Sequence, residues 1–468
     1  MLIASISGIR GTWGGPAGSG LTPPDVVRFA AGYAWWLRTT SGVERPKVVV
    51  GRDARLSGPA LRDLVVGTLA ACGVDVVDLG LSTTPTVELA VTGEAAQGGI
   101  VLTASHNPRE WNALKLLDAR GEFLGAADGA RVLELARDLP AFPPVDALGA
   151  VRPDGGWLER HVAHVLGLAL VDAAAVRAAG LRIAVDAVNS SGGVAVPMLL
   201  QALGCEVVEV HCAPTGDFAH NPEPLPAHLG DLMEAVVREG CHLGIAVDPD
   251  VDRLAFVTET GGWFGEEYTL VAVADYVLGA TPGPVVSNLS STRALKLVAE
   301  RHGCPYTASA VGEAHVVAEM KRVGAVLGGE GNGGVIYPES HYGRDALVGI
   351  GLFLSHLARS GRTASELRAG FPELAMSKDK LDLPDAGVER ALERLVASTP
   401  EARVTTIDGV KFDLAEGWVH LRRSNTEPIL RIYAEAADEA AAAALGTRFR
   451  TRLEGLLRET SEESIATL

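Results

Sequence analysis

At 468 residues the chain is too long for one ordinary domain, and three or four folding units are expected. Its composition, 47% apolar and 21% charged residues, is typical of a globular protein with a large core. The formal net charge of -17 argues against a nucleic-acid partner, which requires a basic surface.

The chain opens with a short predicted strand and then repeats one pattern three times. Leu2 to Ile6 is typical of a strand, and Arg10 follows between two glycines, a setting that suits a phosphate but is commoner for a solvated arginine. In the repeat, an apolar strand leads through a polar loop to a helix that ends near a glycine, and a second strand follows. The first strands of the three units are Lys47 to Val50, Arg182 to Val185 and Pro284 to Ser287.

This repeat predicts an α/β protein with three similar mixed-sheet α/β domains in tandem, related by duplication. After Phe371 to Lys380 the pattern changes to alternating strands and one long Ala- and Arg-rich helix, which indicates a smaller C-terminal α+β domain. We place the domains at residues 1–152, 153–258, 259–372 and 373–468, with the loop-rich segment 140–153 as the first linker. We expect the four domains to be arranged around a central cleft.

A tight loop at the end of a predicted strand presents Ser105. Gly99 to Leu102 lead into Thr103-Ala104-Ser105-His106-Asn107-Pro108, where the proline ends the apolar run. Loops at strand ends often carry catalytic groups on a rigid scaffold. Ser, Asn and Pro are also common turn residues, and these six residues alone favour an ordinary turn. A nucleophilic role for Ser105 therefore depends on what the rest of the chain supplies.

Three carboxylates follow the predicted buried strand Gly244 to Val247. Asp248, Asp250 and Asp252 alternate along an extended chain, so their charges repel unless a cation lies among them or their pKa values rise. Oxygen ligands alone indicate a hard ion such as Mg²⁺ or Ca²⁺. An EF-hand is rejected, because Arg253 stands where that loop requires glycine and a strand-like run follows.

A glycine-rich stretch, Leu327 to Gly334, contains a formal GxGxxG pattern. A dinucleotide site needs a helix after this pattern, whereas Val335 to Pro338 is strand-like and ends in proline, so that interpretation fails. A loop that presents Glu330 and Asn332 to hydroxyl groups and a bare turn remain equally open.

A donor-rich loop, Arg422-Arg423-Ser424-Asn425-Thr426-Glu427-Pro428, lies between two predicted strands, and Arg431 follows it. Guanidinium groups, hydroxyls, an amide and turn-type backbone N–H groups suit a phosphate. An arginine-rich surface loop is the alternative, and the density of donors in an acidic protein counts against it.

These four loops, in this order, resemble the α-D-phosphohexomutase family, which includes phosphoglucomutase, phosphomannomutase and phosphoglucosamine mutase. Residues 103–108 are similar to the phosphoserine loop of that family, 248–253 to its metal loop, 329–334 to its sugar loop and 422–428 to its phosphate loop. The stretches 7–12, 51–58 and 111–115 also fit, so the resemblance spans the whole chain.

The resemblance implies an isomerase that interconverts hexose 6-phosphate and hexose 1-phosphate through a phosphoserine enzyme and a hexose 1,6-bisphosphate, which also serves as activator. It implies a phosphoryl group on Ser105, and Mg²⁺ bound by that group together with the three aspartates. The catalytic residues that it implies are Ser105, Lys115, Arg10, His106 and Arg253.

Individual roles also follow from the resemblance. Lys115 is implied as the general acid/base, which needs its pKa lowered by nearby cations, and His106 as a supporting hydrogen-bonding residue. The implied substrate-binding residues are Glu330, Asn332, Arg422, Ser424, Asn425, Thr426 and Arg431. The last domain is expected to hinge over the sugar and keep water from the phosphoenzyme.

Several positions depart from the commoner family pattern. Asn332 stands where many relatives carry Ser, Gly334 where many carry His, Ala113 where Gly is commoner and Arg423 where Pro is commoner. The Asn-containing loop and the Ser-Gly-Ile-Arg-Gly opening resemble phosphoglucosamine and bifunctional mutases of archaeal type. A phosphoglucosamine mutase and a glucose/mannose mutase therefore remain equally open. The alternatives from other classes are a metal-dependent phosphosugar phosphatase and a non-catalytic phosphosugar-binding protein.

The sequence lacks the usual marks of export or membrane insertion. No apolar run reaches transmembrane length, and the first residues lack the segments of a signal peptide. The five cysteines form no CxxC pair and fit reduced core residues. We therefore expect a cytoplasmic monomer or homodimer that acts on a small phosphosugar, with no nucleic-acid and no membrane partner.

Overall fold

A computed structural model of the chain describes residues 2–5, 8–383, 387–423 and 429–466. The elements fall into four units, which we number domains I to IV in chain order. None of the helices in these ranges is both long and apolar enough to span a bilayer.

Domain I contains seven strands and four helices. The strands are β1 (Leu2–Ser5), β2 (Gly8–Thr12), β3 (Lys47–Arg52), β4 (Asp75–Leu81), β5 (Gly98–Leu102), β6 (Trp111–Leu117) and β7 (Val151–Pro153). The helices are α1 (Pro23–Thr40), α2 (Gly58–Ala71), α3 (Thr84–Gly93) and α4 (Ala126–Leu135). The sheet order is β1-β2-β6-β5-β3-β4-β7, parallel from β5 to β7 and antiparallel on the β6 side. The central strand β3 is buried on both faces because helices cover both sides.

Domains II and III are each built on a four-stranded sheet. Domain II comprises α5 (Trp157–Leu166), α6 (Ala173–Ala179), β8 (Arg182–Asp186), α7 (Gly192–Ala202), β9 (Glu206–Val210), α8 (Gly230–Arg238), β10 (Leu243–Val247) and β11 (Leu254–Thr258). Domain III comprises α9 (Glu266–Ala280), β12 (Val285–Asn288), α10 (Arg293–Arg301), β13 (Tyr306–Ser309), α11 (Glu313–Val323), β14 (Leu327–Glu330), β15 (Gly334–Ile336), α12 (Ala346–Ser360) and α13 (Ala364–Ala369). The sheet orders are β11-β10-β8-β9 and β15-β14-β12-β13 read in the same direction.

The predicted threefold repeat is confirmed by this topology. In each domain the first strand of the unit lies between the two strands that run parallel to it, and an antiparallel strand closes one side. Gly73, Gly204 and Gly303 follow the corresponding helices with φ of 75°, 81° and 67°. Glycine adopts this left-handed conformation without a Cβ clash, which ends the helix and sends the chain back to the sheet.

Domain IV is the predicted smaller α+β unit, with two elements that the sequence pattern does not reveal. Its elements are β16 (Ala375–Asp382), α14 (Val388–Ala397), β17 (Arg403–Thr405), β18 (Val410–Asp413), β19 (Gly417–Arg423), β20 (Ile429–Ala436) and α15 (Glu439–Ala466). The sheet is antiparallel in the order β16-β20-β19-β18-β17. The unpredicted elements are β16, an edge strand rich in charged residues, and α14.

The apolar cores show which domains are joined most closely. One continuous cluster of buried side chains runs from Leu158 to Phe371 and so includes both domain II and domain III. At its centre, the ring of Phe353 on α12 stacks on Phe256 of β11 at 3.8 Å and meets Phe264 edge-on at 5.3 Å. Domain IV has its own core cluster within the described residues.

Candidate active site

Ser105 lies directly after β5, where the chain turns sharply. Its φ is 49°, in the left-handed region that few non-glycine residues adopt. The Thr103 hydroxyl accepts a hydrogen bond from the Ser105 N–H at 2.9 Å. Arg55 donates to the Ser105 carbonyl and is itself fully buried, 3.0 Å from Asp53. A strained turn with this many fixed partners holds the serine hydroxyl in one position.

The acidic triplet occupies the turn between β10 and β11. Asp248, Asp250 and Asp252 are fully buried, and one oxygen from each lies within 4.8 Å of the others. Val251 between them has a φ of 64°, an unfavourable value for a β-branched residue, and its side chain packs into the core shared by domains II and III.

A loop of domain II is hydrogen-bonded to the backbone of this turn. The hydroxyls of Ser190 and Ser191 both donate to the Pro249 carbonyl, at 2.8 and 2.7 Å. From domain I, the Thr84 hydroxyl donates to Asp250 Oδ2. The carboxylates are therefore fixed by neighbours from two domains before any ligand binds.

The structure brings the serine and the triplet together. Ser105 Oγ donates a hydrogen bond to Asp248 Oδ2 at 2.6 Å. Lys115 Nζ, on β6, lies 2.7 Å from Asp250 Oδ2 and 3.4 Å from Asp252 Oδ2. Asp250 Oδ1 and Asp252 Oδ1 are buried without a hydrogen-bond partner in the described part of the chain. Buried carboxylate oxygens left without a donor fit a hard cation, so the residues present suit Mg²⁺.

The pKa values of Asp248 and Asp252 shift in opposite directions. Burial, with Asp252 and Asp250 nearby, raises the pKa of Asp248 well above its ordinary value. Burial acts in the same direction on Asp252, but Arg344 and Lys115 outweigh it and the pKa of Asp252 falls below its ordinary value. The difference arises because Lys115 and Arg344 pair with Asp252, whereas the side chain of Asp248 meets the neutral hydroxyl of Ser105.

The implied pKa shift of Lys115 is wrong in direction. Burial lowers the pKa of this amine, but the attraction of Asp250 and Asp252 is larger in sum, and the net shift is upward. The prediction treated nearby cations as the dominant neighbours, whereas the ammonium touches two carboxylates directly. Lys115 therefore keeps its proton in this arrangement.

His106 and Arg253 lie beside the same serine, and Arg10 is placed by the sheet register near Lys115. His106 Nδ1 is 3.3 Å from Ser105 Oγ, and Arg253 Nη2 is 3.4 Å from His106 Nε2. Burial and then Arg253 lower the pKa of His106 well below its ordinary value, so the imidazole is neutral. Arg10 pairs with Ala113 in the sheet, and so lies on the same sheet face as Lys115.

The glycine-rich loop presents one fully engaged carboxylate and one half-buried amide. Glu330 ends β14 with 6% of its surface exposed. Its Oε1 accepts from Asn288 Nδ2 at 2.9 Å and from a backbone N–H at 3.1 Å, while its Oε2 lies 3.1 Å from Arg344. Asn332 Oδ1 accepts from the Gly334 N–H at 3.2 Å.

The donor-rich loop of domain IV is described only at its edges. Arg422 Nε donates to Asp408 Oδ2 at 3.1 Å, and the same oxygen accepts from the Val311 N–H of domain III at 2.9 Å. Arg431 Nη1 donates to the Tyr433 hydroxyl at 3.2 Å. The predicted residues outside the described ranges are Ser424, Asn425 and Thr426.

Sequence patterns do not reveal Arg344, which is buried between the metal and sugar loops. Its Nη2 lies 2.7 Å from Asp252, its Nε 2.8 Å from Glu313 and its Nη1 3.1 Å from Glu330. A single arginine after a loop glycine carries no local signal, and its partners come from three separate stretches of the chain.

A second buried polar cluster, also unpredicted, joins domains I, II and III. His341 Nδ1 lies 3.3 Å from Glu88, and His341 Nε2 lies 3.1 Å from Asp345 Oδ2. His161 Nε2 reaches that Asp345 oxygen at 2.8 Å, and its Nδ1 meets the Thr86 hydroxyl at 2.9 Å. Burial and the neighbouring acids raise the pKa of Glu88 well above its ordinary value.

Family models for the phosphoglucomutase/phosphomannomutase enzymes match all four units in order. Alpha/beta/alpha domain I matches residues 3–139, domain II residues 159–262 and domain III residues 265–374. The model for the C-terminal domain matches residues 380–452. The chain therefore belongs to the phosphoglucomutase/phosphomannomutase family, the α-D-phosphohexomutases.

Individual relatives and a solved structure agree over nearly the whole length. A probable phosphoglucosamine mutase of Methanopyrus kandleri is 35% identical over 95% of this chain and 96% of its own. A phosphoglucomutase/phosphomannomutase of Thermococcus kodakarensis is 35% identical over 92% and 94%. The crystal structure of a phosphoglucomutase/phosphomannomutase family protein from Burkholderia thailandensis matches with a TM-score of 0.84, 29% identity and coverage of 97% and 98%. The chain is a phosphohexomutase, an isomerase that transfers a phosphoryl group between positions of a sugar.

Proposed function

We propose that the chain interconverts the 6- and 1-phosphates of a hexose through a phosphoserine at Ser105 and a hexose 1,6-bisphosphate. One observation carries this proposal: Ser105 Oγ lies 2.6 Å from Asp248 within a buried group of three carboxylates. A serine hydroxyl at a buried acidic cluster is suited to phosphoryl transfer, where catalysis depends mainly on positioning and charge neutralisation.

The three aspartates, together with Ser105, would hold Mg²⁺. When bound there, Mg²⁺ supplies positive charge to the oxygens of the transferring phosphoryl group. The side chains of Lys115, Arg253 and Arg10 add further positive charge around Ser105. Lys115 is assigned the proton transfers at the reacting oxygens, and this role requires its pKa to fall when a cation at the triplet takes up the charge of Asp250 and Asp252.

The transfer proceeds in two balanced steps. First, the bond from phosphorus to Ser105 Oγ breaks as a bond from phosphorus to a free sugar hydroxyl oxygen forms; the sugar hydroxyl gives up its proton and Ser105 Oγ takes one up. The bisphosphate then turns over, and Ser105 Oγ gives up its proton as it takes the phosphoryl group from the other position, whose sugar oxygen takes up a proton. A hexose 1,6-bisphosphate added in trace amounts restores phosphoserine and so acts as the activator.

The far end of the substrate requires a second set of contacts. Glu330, the last residue of β14, and Asn332, in the loop that follows, are assigned to the sugar hydroxyls. The phosphate that is not reacting is assigned to Arg422 and Arg431 of domain IV, together with Ser424, Asn425 and Thr426. Because either phosphate must be accepted, this second group binds by charge and hydrogen bonds without reading the sugar position.

The names of the relatives divide between phosphoglucosamine and glucose/mannose mutases, so the preferred hexose is best identified by a side-by-side comparison. The 1-phosphates of glucosamine, glucose and mannose are incubated separately with the protein, Mg²⁺ and a trace of the matching bisphosphate. Formation of the 6-phosphate and release of free phosphate are followed together. We expect 6-phosphate from at least one sugar, without stoichiometric free phosphate.

Two outcomes of the same assay contradict the proposal. Free phosphate without 6-phosphate would identify a phosphatase in which water accepts the phosphoryl group. Binding of the sugar phosphates with neither product would identify a non-catalytic binding protein. The Ser105→Ala variant serves as the blank for both products.

A further inference from the structure

Arg344 provides the direct side-chain connection between the acidic triplet and the glycine-rich loop. It is 9% exposed, and each of its three guanidinium nitrogens faces a different carboxylate. Asp252 belongs to the triplet, Glu330 to the glycine-rich loop, and Glu313 begins α11 beside both. A planar guanidinium with donors on all sides fixes its partners in angle as well as in distance.

Gly334 provides the space through which this side chain passes. A Cβ built on Gly334 would lie 2.3 Å from Arg344 Cδ and 3.0 Å from its Cγ, far inside van der Waals contact. The atoms met are in the middle of the arginine stem, so the whole side chain would have to move. The glycine is thus required for space, since its backbone lies outside the left-handed region.

The guanidinium of Arg344 is shared between one carboxylate of the acidic triplet and two carboxylates near the glycine-rich loop. On one side, Asp252 is also 3.4 Å from Lys115 and keeps one buried oxygen without a hydrogen-bond partner among the described residues. On the other side, Glu330 and Glu313 are buried and have Arg344 as their common cation. A divalent ion at the triplet draws on the same Asp252 charge that Arg344 uses.

We propose that Arg344 is a positioning residue that couples the divalent-ion site to the sugar loop, and that Gly334 is the residue that lets it reach both. It weakens the hold of Asp252 on the ion, and it orients Glu330 toward the sugar. The inference rests on the proposed roles of the triplet and of Glu330. It predicts opposite changes at the two sites when the guanidinium is removed.

The test is calorimetric titration of the full-length, dephosphorylated protein without bisphosphate, so that no turnover occurs. Mg²⁺ alone is titrated first, and then the 6-phosphates of glucose, mannose and glucosamine. In Arg344→Met the Kd for Mg²⁺ is expected to fall by about tenfold, because a unit charge a few ångströms from Asp252 is removed. The Kd for the tightest-binding sugar phosphate is expected to rise by about tenfold, because Glu330 loses its orienting cation.

Three matched variants separate positioning from damage to the fold. Gly334→Ala is expected to change both dissociation constants in the same directions as Arg344→Met, since it displaces the same side chain. Arg344→Lys keeps the charge and is expected to retain the wild-type Kd for Mg²⁺ within about twofold while the sugar phosphate binds less tightly. Arg368→Met removes an arginine of domain III that contacts Phe264 and Tyr268, and is expected to change neither constant.

The outcomes are decisive in both directions. Weaker binding of both ligands in Arg344→Met and in Gly334→Ala would show a purely structural role and overturn the proposal, as would unchanged constants. If the wild-type protein fails to interconvert hexose phosphates, the proposed function fails, while the Mg²⁺ constants still test the competition at Asp252.

Discussion

The boundary between domains II and III differs in kind from the boundary between domains III and IV. Domains II and III share one apolar core, in which aromatic rings from both domains stack. Domain IV meets domain III through hydrogen bonds and charges: Lys411 with the Leu289 carbonyl, His420 with Ser290, and Glu435 with the Arg293 N–H. An apolar core cannot be separated without exposing large apolar surface, whereas polar contacts can be exchanged for water.

We expect the polar boundary with domain IV, and not the apolar boundary between domains II and III, to open. The acidic triplet lies within the joined domains II and III, and Ser105 of domain I contacts it at 2.6 Å. Domain IV supplies the contacts that can be released. The expected hinge of domain IV therefore has a physical basis in the polar boundary.

The largest effect is expected at Ser105, whose hydroxyl contacts the acidic triplet. Ser105→Ala should lower mutase turnover by at least ~10³-fold, because the proposed nucleophile is removed. The melting temperature should stay within a few degrees of the wild type, since the side chain lies on a turn. Turnover is measured with bisphosphate present, and full activity in the variant would remove Ser105 from the mechanism.

A cavity in the shared core should destabilise domains II and III together, whereas a cavity in the core of domain IV should destabilise domain IV alone. Phe353→Ala is expected to cost ~3–5 kcal/mol and to lower protection from hydrogen exchange in both domains together. The matched variant Phe412→Ala, in the core of domain IV, should cost a similar amount and affect domain IV alone. Exchange that rises only in domain III for Phe353→Ala would contradict a common core.

The domain III–IV boundary should strengthen as the pH rises. Burial lowers the pKa of Lys411 to about 8, against the partial opposition of Asp413 and Glu435. The unfolded chain, with a lysine pKa of about 10.4, binds more protons than the folded chain between these values, so stability rises with pH across that window. Below pH ~8 the full penalty applies, roughly 3 kcal/mol.

Lys411→Met should remove this pH dependence. Unfolding of domain IV is followed from pH 7 to pH 10 in the wild type and the variant by Trp418 fluorescence, obtained by subtracting the signal of matched Trp418→Phe proteins, because the chain has seven tryptophans. The Lys411 ammonium lies 4.1 Å from that ring, so the signal reports on the boundary itself. An equal rise of stability with pH in both proteins would assign the effect to another group.

The smallest effect is expected on the movable side, at Arg422. Arg422→Ala should weaken binding of a hexose phosphate by about 1.5 kcal/mol or more, since a charge-assisted contact to phosphate is lost. The effect should fall on KM more than on kcat, in contrast to Ser105→Ala. Arg448→Ala, which breaks an exposed pair with Glu416, is the control. Unchanged affinity in Arg422→Ala would exclude that loop from the binding site.

The threefold repeat and the acidic triplet could be predicted from the sequence because each has a local signature. The strand-loop-helix pattern repeats with a glycine after each helix, and three aspartates at alternate positions after an apolar strand repel one another unless a cation or raised pKa values compensate. The edge strand β16 could not be predicted from the sequence, because Lys378, Asp379 and Lys380 follow one another without the apolar alternation of a strand.

The site features that could not be predicted from the sequence depend on interactions between distant segments of the chain. Arg344 is defined by three partners that only the tertiary fold brings together, and the same holds for the cluster of Glu88, His161, His341 and Asp345. The pKa of Lys115 was assigned the wrong direction for a related reason. The sequence shows which charges exist, but their order of distance from the amine depends on the packing of three domains.

The conformation of Val251 has a consequence for how an ion enters the acidic turn. The backbone there is held in an unfavourable shape by a side chain anchored in the apolar interior, so relaxation would require that interior to come apart. The shape of the turn is thus set by the fold of the chain, and we expect it to stay the same when a cation binds. One divalent ion would then replace another by exchange of water and charge, without rearrangement of the chain.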